Sequence, residues 1–173
     1  MKDSTLQPSM VPTRRHMLTG LVFGVSAMAV GFRLWPQEAQ AATAGYPIHF
    51  TDAEWKKRLT AQQFAVLRQQ STEYPYTSPL LKEHRKGTFL CAADGNALFS
   101  SDTKFESGTG WPSFWKPLPG AVGTSTDHEL GYARTEVHCS KCGGHLGHVF
   151  DDGPRPTGLR YCMNGVAMTF KAA

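Results

Sequence analysis

The chain has 173 residues, with 18 Lys and Arg against 14 Asp and Glu, for a formal charge of +4. Hydrophobic residues make up 40%, which excludes a chain too polar to fold, and the mild charge without a long basic run gives nucleic-acid binding little support. Gly 17 and Pro 11 suit strands joined by turns better than a helical bundle, and Cys 4 suits one metal site or one redox pair better than a disulfide-dense scaffold.

The first segment reads as an address. Arg14 and Arg15 precede Met17 to Phe32, an uncharged stretch rich in Gly, Ala, Val and Leu, and Ala39-Gln40-Ala41 has the small-x-small form of a cleavage site. The arginine pair resembles a twin-arginine export signal of bacteria, which predicts a signal over residues 1–41, a mature domain over 42–173 and a periplasmic location. The competing reading is a membrane anchor. The stretch spans about 24 Å as a helix, shorter than the roughly 20 residues a membrane span needs. No stable membrane span is therefore expected after cleavage.

Helical signals follow between His49 and Gln70. Thr51-Asp52-Ala53-Glu54 and Thr60-Ala61-Gln62-Gln63 both have the form of a capping box. They predict two short helices packing through Trp55, Leu59, Phe64 and Leu67. From Gly87 onward the pattern changes to short strands: Phe89 to Cys91, Ala97 to Ser100, Tyr132 to His138, His148 to Phe150, Leu159 to Asn164 and Val166 to Phe170. Turn residues separate them, as in Asp94-Gly95-Asn96 and Asp151-Asp152-Gly153-Pro154. The expectation is a mainly β fold, an antiparallel sheet core or barrel.

Cys139-Ser-Lys-Cys142 is closed by Gly143 and Gly144, the form of a knuckle in which two thiolates converge on zinc. Upstream, Cys91 and Asp94 have the same spacing and a trailing glycine. Three thiolates and a carboxylate form a chemically sound zinc set. A disulfide between Cys139 and Cys142, or between Cys91 and one of them, is the alternative in an oxidising compartment.

Cys162 stands apart, in Arg160-Tyr161-Cys162-Met163-Asn164. In a strand, Arg160, Cys162 and Asn164 share one face. A guanidinium beside a thiol favours the thiolate, which is the nucleophile, so a lowered thiol pKa is expected. The alternative is a buried core cysteine. His145 and His148, with Asp151 and Asp152, supply imidazoles for proton transfer and carboxylates to orient them; metal ligation is the competing use of the pair. Gly108-Thr-Gly-Trp111-Pro-Ser-Phe-Trp115 is either core packing or a loop that offers an aromatic contact to an apolar group.

Phe99 to Phe114, Arg134 to Val137, Cys139 to Pro154 and Pro156 to Asn164 together resemble the peptide-methionine (R)-S-oxide reductases, the B type of methionine sulfoxide reductase. The resemblance runs from about His49 to Phe170. It implies two antiparallel sheets with short N-terminal helices, and thiol-dependent reduction of the R epimer of methionine sulfoxide, free or in proteins and peptides. It makes Cys162 the nucleophile, His145, His148, Asp152, Arg160 and Asn164 the polar active-site set, and Trp111 the residue that receives the substrate methyl. The chemistry expected is thiolate attack on the sulfoxide sulfur with proton donation from the imidazoles, positioned through Asp152, and a sulfenic acid on Cys162. Asp94 stands where zinc-binding members carry a cysteine. Thr109 stands where many members carry the resolving cysteine, which shifts recycling to a thioredoxin-like protein or another thiol reductant.

Two other classes compete with this reading. One is a non-catalytic exported zinc module with Cys162 structural, which leaves Arg160 and Asn164 beside Cys162 unexplained. The other is a thiol oxidoreductase using Cys139 and Cys142 as its redox pair. That chemistry expects the pair at a helix start, against Gly143 and Gly144.

Overall fold

The computed structural model describes residues 45–173, so the expected export signal lies outside the described residues. Two helices come first, α1 over Asp52–Arg58 and α2 over Ala61–Gln69. Each begins with a complete capping box. The Thr51 hydroxyl accepts from the Glu54 N–H while Glu54 reaches back to the Thr51 N–H, and Thr60 and Gln63 repeat the exchange. Helices this short are marginal alone in water, so packing holds them. Trp55 and Leu67 are buried, and α2 lies against the sheet strand that carries both candidate histidines. Burying side chains of this kind stabilises the fold by roughly 1.5–3 kcal/mol each.

Nine strands follow. They are β1 Gly87–Cys91, β2 Ala97–Ser100, β3 Lys104–Phe105, β4 Ser113–Phe114, β5 Val122–Asp127, β6 Arg134–Cys139, β7 His145–Phe150, β8 Arg160–Met163 and β9 Met168–Ala172. They form two antiparallel sheets. The smaller has the order β2-β1-β9 and the larger β3-β4-β8-β7-β6-β5. Both sheets stay open, so the barrel-like closure among the expectations is absent while the mainly β architecture holds. Phe89, Phe99 and Phe114 join the sheets in one core: Phe99 stacks on Phe114 at 4.3 Å between centroids, and Phe89 meets Phe114 edge-on at 4.8 Å.

Three differences from the expected strands have physical causes. β7 starts at His145, earlier than expected, because Gly147 continues the ladder at a φ of 155°. A Cβ at Gly147 would overlap the Cys162 carbonyl oxygen, so glycine lets β7 and β8 approach at the level of Cys162. Residues 165–167 form a 3-10 turn, which delays the last strand to Met168. β5 was not expected at all: Val-Gly-Thr-Ser-Thr-Asp has no apolar alternation, and this half-exposed edge strand is held by pairing with β6.

Candidate active site and metal cluster

Register across the larger sheet brings the candidate site together. Cys162 on β8 is opposite Ser113 on β4 and His148 on β7, and His148 is in turn opposite Glu136 on β6. A cavity of about 130 Å³ is lined by Cys162, His148, Asn164, Trp111, Phe150 and Arg134. Cys162, His148, Asn164 and Trp111 of the expected set therefore share one cavity.

Cys162 is half-buried, with its sulfur 3.8 Å from the Thr109 hydroxyl. Burial pushes its thiol above the ordinary value, against the opposing pull of Thr109, Arg160 and Ser113. Arg160 does pull the thiol down as expected, but desolvation of the thiolate outweighs it, and the strand pattern alone does not reveal that burial.

Arg160 is buried beside the thiol. Its Nε and Nη2 donate to the two carboxylate oxygens of Asp152 at 2.8 and 2.9 Å, and its guanidinium lies 4.4 Å from the centroid of Phe150. Asp152 is largely exposed and lies on the guanidinium, so it orients Arg160. The carboxylates on the imidazoles are different ones. His145 Nδ1 is 2.7 Å from Glu136 Oε1, and His148 Nε2 is 2.7 Å from Asp127 Oδ2. Glu136 also accepts from the Ser125 hydroxyl at 2.7 Å. His145 is buried, its ring centroid 5.4 Å from that of His148, and among the described residues its Nε2 has no hydrogen-bond partner. Burial holds His148 below the ordinary imidazole value, against the opposing Asp127 carboxylate.

Glu73 was also missed by sequence reasoning. It is 5% exposed, and its carboxylate accepts from the Gly165 and Val166 N–H groups at 2.5 and 2.9 Å. Its own N–H donates to Asn164 Oδ1 at 3.0 Å, and its carbonyl accepts from Trp111 Nε1 at 3.1 Å. One residue thereby fixes two cavity side chains that lie far from it in sequence. Asn164 is held from its other side by donating to the Leu146 carbonyl at 3.2 Å.

Cys91, Asp94, Cys139 and Cys142 converge as the spacing predicted, with one ligand atom from each within 4.8 Å of all the others. All four cysteines are free, so no disulfide competes in this structure. Cys91 Sγ lies 3.8 Å from Cys142 Sγ, and Cys139 Sγ 3.3 Å from Asp94 Oδ2. Neighbouring sulfurs hold the Cys91 and Cys142 thiols above their ordinary values, while burial raises the Asp94 carboxyl. Closely spaced soft donors with a carboxylate fit a tetrahedral zinc ion, and crowding of negative charge favours a cation there. Cys139 lies at the end of β6 opposite to Arg134, the β6 residue that lines the cavity, about 16 Å along the strand. The turn at Cys142-Gly143-Gly144 leads into β7 and not into a helix, which removes support from the redox-pair reading.

Comparison with known proteins gives a consistent picture. A family model described as the SelR domain matches residues 59–172. The peptide methionine sulfoxide reductase MsrB of Leptospira interrogans is 56% identical over 127 residues, covering 73% of this chain and 97% of that protein. The protein of the same name from Agrobacterium fabrum is 51% identical over 125 residues, covering 72% and 93%. That from Methanosarcina barkeri is 54% identical over 122 residues, covering 70% and 86%.

Proposed function

The chain belongs to the SelR family of B-type methionine sulfoxide reductases, and from that premise we propose how its own residues work as a peptide-methionine (R)-S-oxide reductase. The observation that carries the assignment is the single cavity that joins Cys162, His148, Asn164 and Trp111.

The indole of Trp111, fixed by its bond to Glu73, offers an apolar face to the substrate methyl. Asn164 and Cys162 line the same cavity. The thiolate of Cys162 attacks the sulfoxide sulfur, and His148, the imidazole that lines the cavity, donates a proton to the oxygen. The sulfur–oxygen bond breaks, the oxygen ends on Cys162 as a sulfenic acid, and methionine leaves. The methionine sulfur gains the two electrons that the cysteine sulfur loses. Arg160, held by Asp152, stabilises the thiolate. A chiral sulfoxide whose methyl and oxygen have fixed partners is accepted in one configuration, which gives the preference for the R epimer.

Thr109, whose hydroxyl lies 3.8 Å from the Cys162 sulfur, has no thiol to offer. Recycling therefore draws on two external thiols, from a thioredoxin-like protein or a small reductant: they become a disulfide, and the oxygen leaves as water. Cys91, Asp94, Cys139 and Cys142 would hold a structural zinc, which would tie β1 to the β6–β7 turn. The arginine pair and Ala39-Gln40-Ala41 support export, cleavage after residue 41 and repair of oxidised exported proteins. Among the described residues, no helix is long and apolar enough to cross a membrane.

The test is steady-state reduction of separated R and S sulfoxides with a thiol donor. The intact protein is expected to turn over the R epimer preferentially, and Cys162→Ser to be inactive while folded. Equal rates on the two epimers, or substantial turnover by the variant, would overturn the assignment.

A further inference from the structure

We infer that Asp127 is a positioning residue of the reaction, which holds the His148 ring in place and keeps it competent as the proton donor to the sulfoxide oxygen. The inference rests on the reading of His148 as that donor. It concerns a residue with no distinguishing signal in the sequence, at the end of an edge strand two strands away from the histidine.

The geometry is that of a carboxylate held from several sides. Asp127 Oδ1 accepts from the Glu129 N–H at 2.7 Å, which fixes the rotamer through the turn that follows β5. Oδ2 meets His148 Nε2 at 2.7 Å and also accepts from Arg134 Nη2. Asp127 and Arg134 are register partners across β5 and β6, so the ion pair is built into the sheet. The side chains of Asp127, Arg134 and His148 are 11%, 16% and 12% exposed, so water screens this network poorly. His148 and Arg134 line the reaction cavity.

The groups around His148 settle the sign of the effect. Asp127 comes from β5, Arg134 and Glu136 from β6, His145 from β7, and Cys162 and Arg160 from β8. Glu136 is engaged by His145 and Ser125, and Arg160 by Asp152. Asp127 is the carboxylate bonded to His148. Burial disfavours the imidazolium, as do Arg134 and the neighbouring His145 ring, while Asp127 favours it. Asp127 itself is held down to about 2 by the Glu129 N–H, His148 and Arg134, so it stays ionised across the working range of the enzyme.

This arrangement has a kinetic signature. The reactive form pairs a Cys162 thiolate with a His148 imidazolium, yet burial has raised the thiol and lowered the imidazole. Between those two values the reactive fraction is small and independent of pH, because each proton change that favours one partner costs the other. Each tenfold loss of the histidine's affinity for its proton lowers that plateau tenfold. Below the histidine's value the ring is protonated in any case, and only the thiolate fraction counts. Removing Asp127 must therefore lower the neutral plateau, extend it to lower pH, and leave the rates in acid little changed.

The experiment measures single-turnover methionine formation from an R-sulfoxide peptide against pH, for the intact protein, Asp127→Asn and Asp127→Glu. Histidine NMR titration and a thermal melt of each protein accompany it. Asp127→Asn is expected to lower the neutral plateau tenfold or more, with rates converging toward acid pH and the His148 midpoint shifted down. Asp127→Glu should recover part of both effects, and it carries the test should the Asn variant fail to fold. An unchanged His148 midpoint, or a rate loss uniform across pH, would overturn the role of Asp127. A lowered midpoint with an unchanged rate profile would instead show that His148 is not the donor, and would sink the underlying reading and this inference together.

Discussion

Glu73→Ala tests how the cavity is held open and oriented. Two backbone N–H groups, of Gly165 and Val166, lose their acceptor at the start of the 165–167 turn. Hydrogen bonds to a charged group contribute about 1.5–3 kcal/mol each, so the gross loss is about 3–6 kcal/mol. Relief from burying a carboxylate returns part of that, because burial is the largest influence on Glu73 and opposes its ionisation. The net cost is placed at about 2–4 kcal/mol, which for a domain of this size lowers Tm by roughly 10 °C. The backbone bonds of Glu73 to Asn164 and Trp111 survive the substitution only as well as the turn does. A rise in KM is therefore expected beside the fall in Tm, measured by thermal denaturation and by R-sulfoxide kinetics below the new Tm. A Tm within about 2 °C of the intact protein, with unchanged KM, would show that Glu73 is not the hub its hydrogen bonds suggest.

Other outcomes follow from the same geometry. Arg160→Met removes the cation beside the thiol and the partner of Asp152, so the Cys162 thiol should rise further and alkylate more slowly at fixed pH, by roughly tenfold; iodoacetamide rates across pH read this, and an unchanged profile counts against it. Metal analysis should find one zinc per chain, retained less well by Asp94→Ala, with a lower Tm after chelation; absence of zinc together with a Cys139–Cys142 disulfide would show that the cluster is a redox pair. Intact-mass analysis of the protein from its native cell should find a mature start close to Ala42, and a dominant full-length species would contradict export with cleavage.

Local signals were the legible part of this chain. The two capping boxes set the starts of α1 and α2 because their partners are three residues apart. The matched spacing of Cys91 with Asp94 and of Cys139 with Cys142 correctly placed four ligand atoms together. Alternation through Arg160-Tyr-Cys-Met-Asn164 put Arg160 beside the Cys162 thiol and Asn164 in the same cavity as Cys162. What stayed hidden depends on pairing between distant segments. Asp127 reaches His148 only because β5, which lacks an apolar pattern, pairs with β6, and β6 with β7. Glu136 and Glu73 have the same character: each is an ordinary glutamate until the fold brings His145, or Gly165 and Val166, to its carboxylate. Proximity in sequence favoured Asp152 as the carboxylate of the histidines, but the strand geometry gave it to Arg160. The sign of the Cys162 shift was missed for a related reason. Neighbours along a strand are visible in the sequence, whereas burial comes from the other strands and the loops that cover it.

In the proposed reaction the Cys162 sulfur takes the oxygen from the R sulfoxide. The most direct measurement is one turnover without reductant, scoring methionine released and tagging the protein with dimedone before mass mapping. Up to one methionine per chain is expected from the R epimer and little from the S epimer, with a dimedone adduct on Cys162 and no new disulfide. Methionine released without oxidation of Cys162 would contradict transfer of the oxygen to that sulfur, and stoichiometric formation of a Cys91–Cys162 disulfide would contradict both recycling by external thiols and the metal cluster.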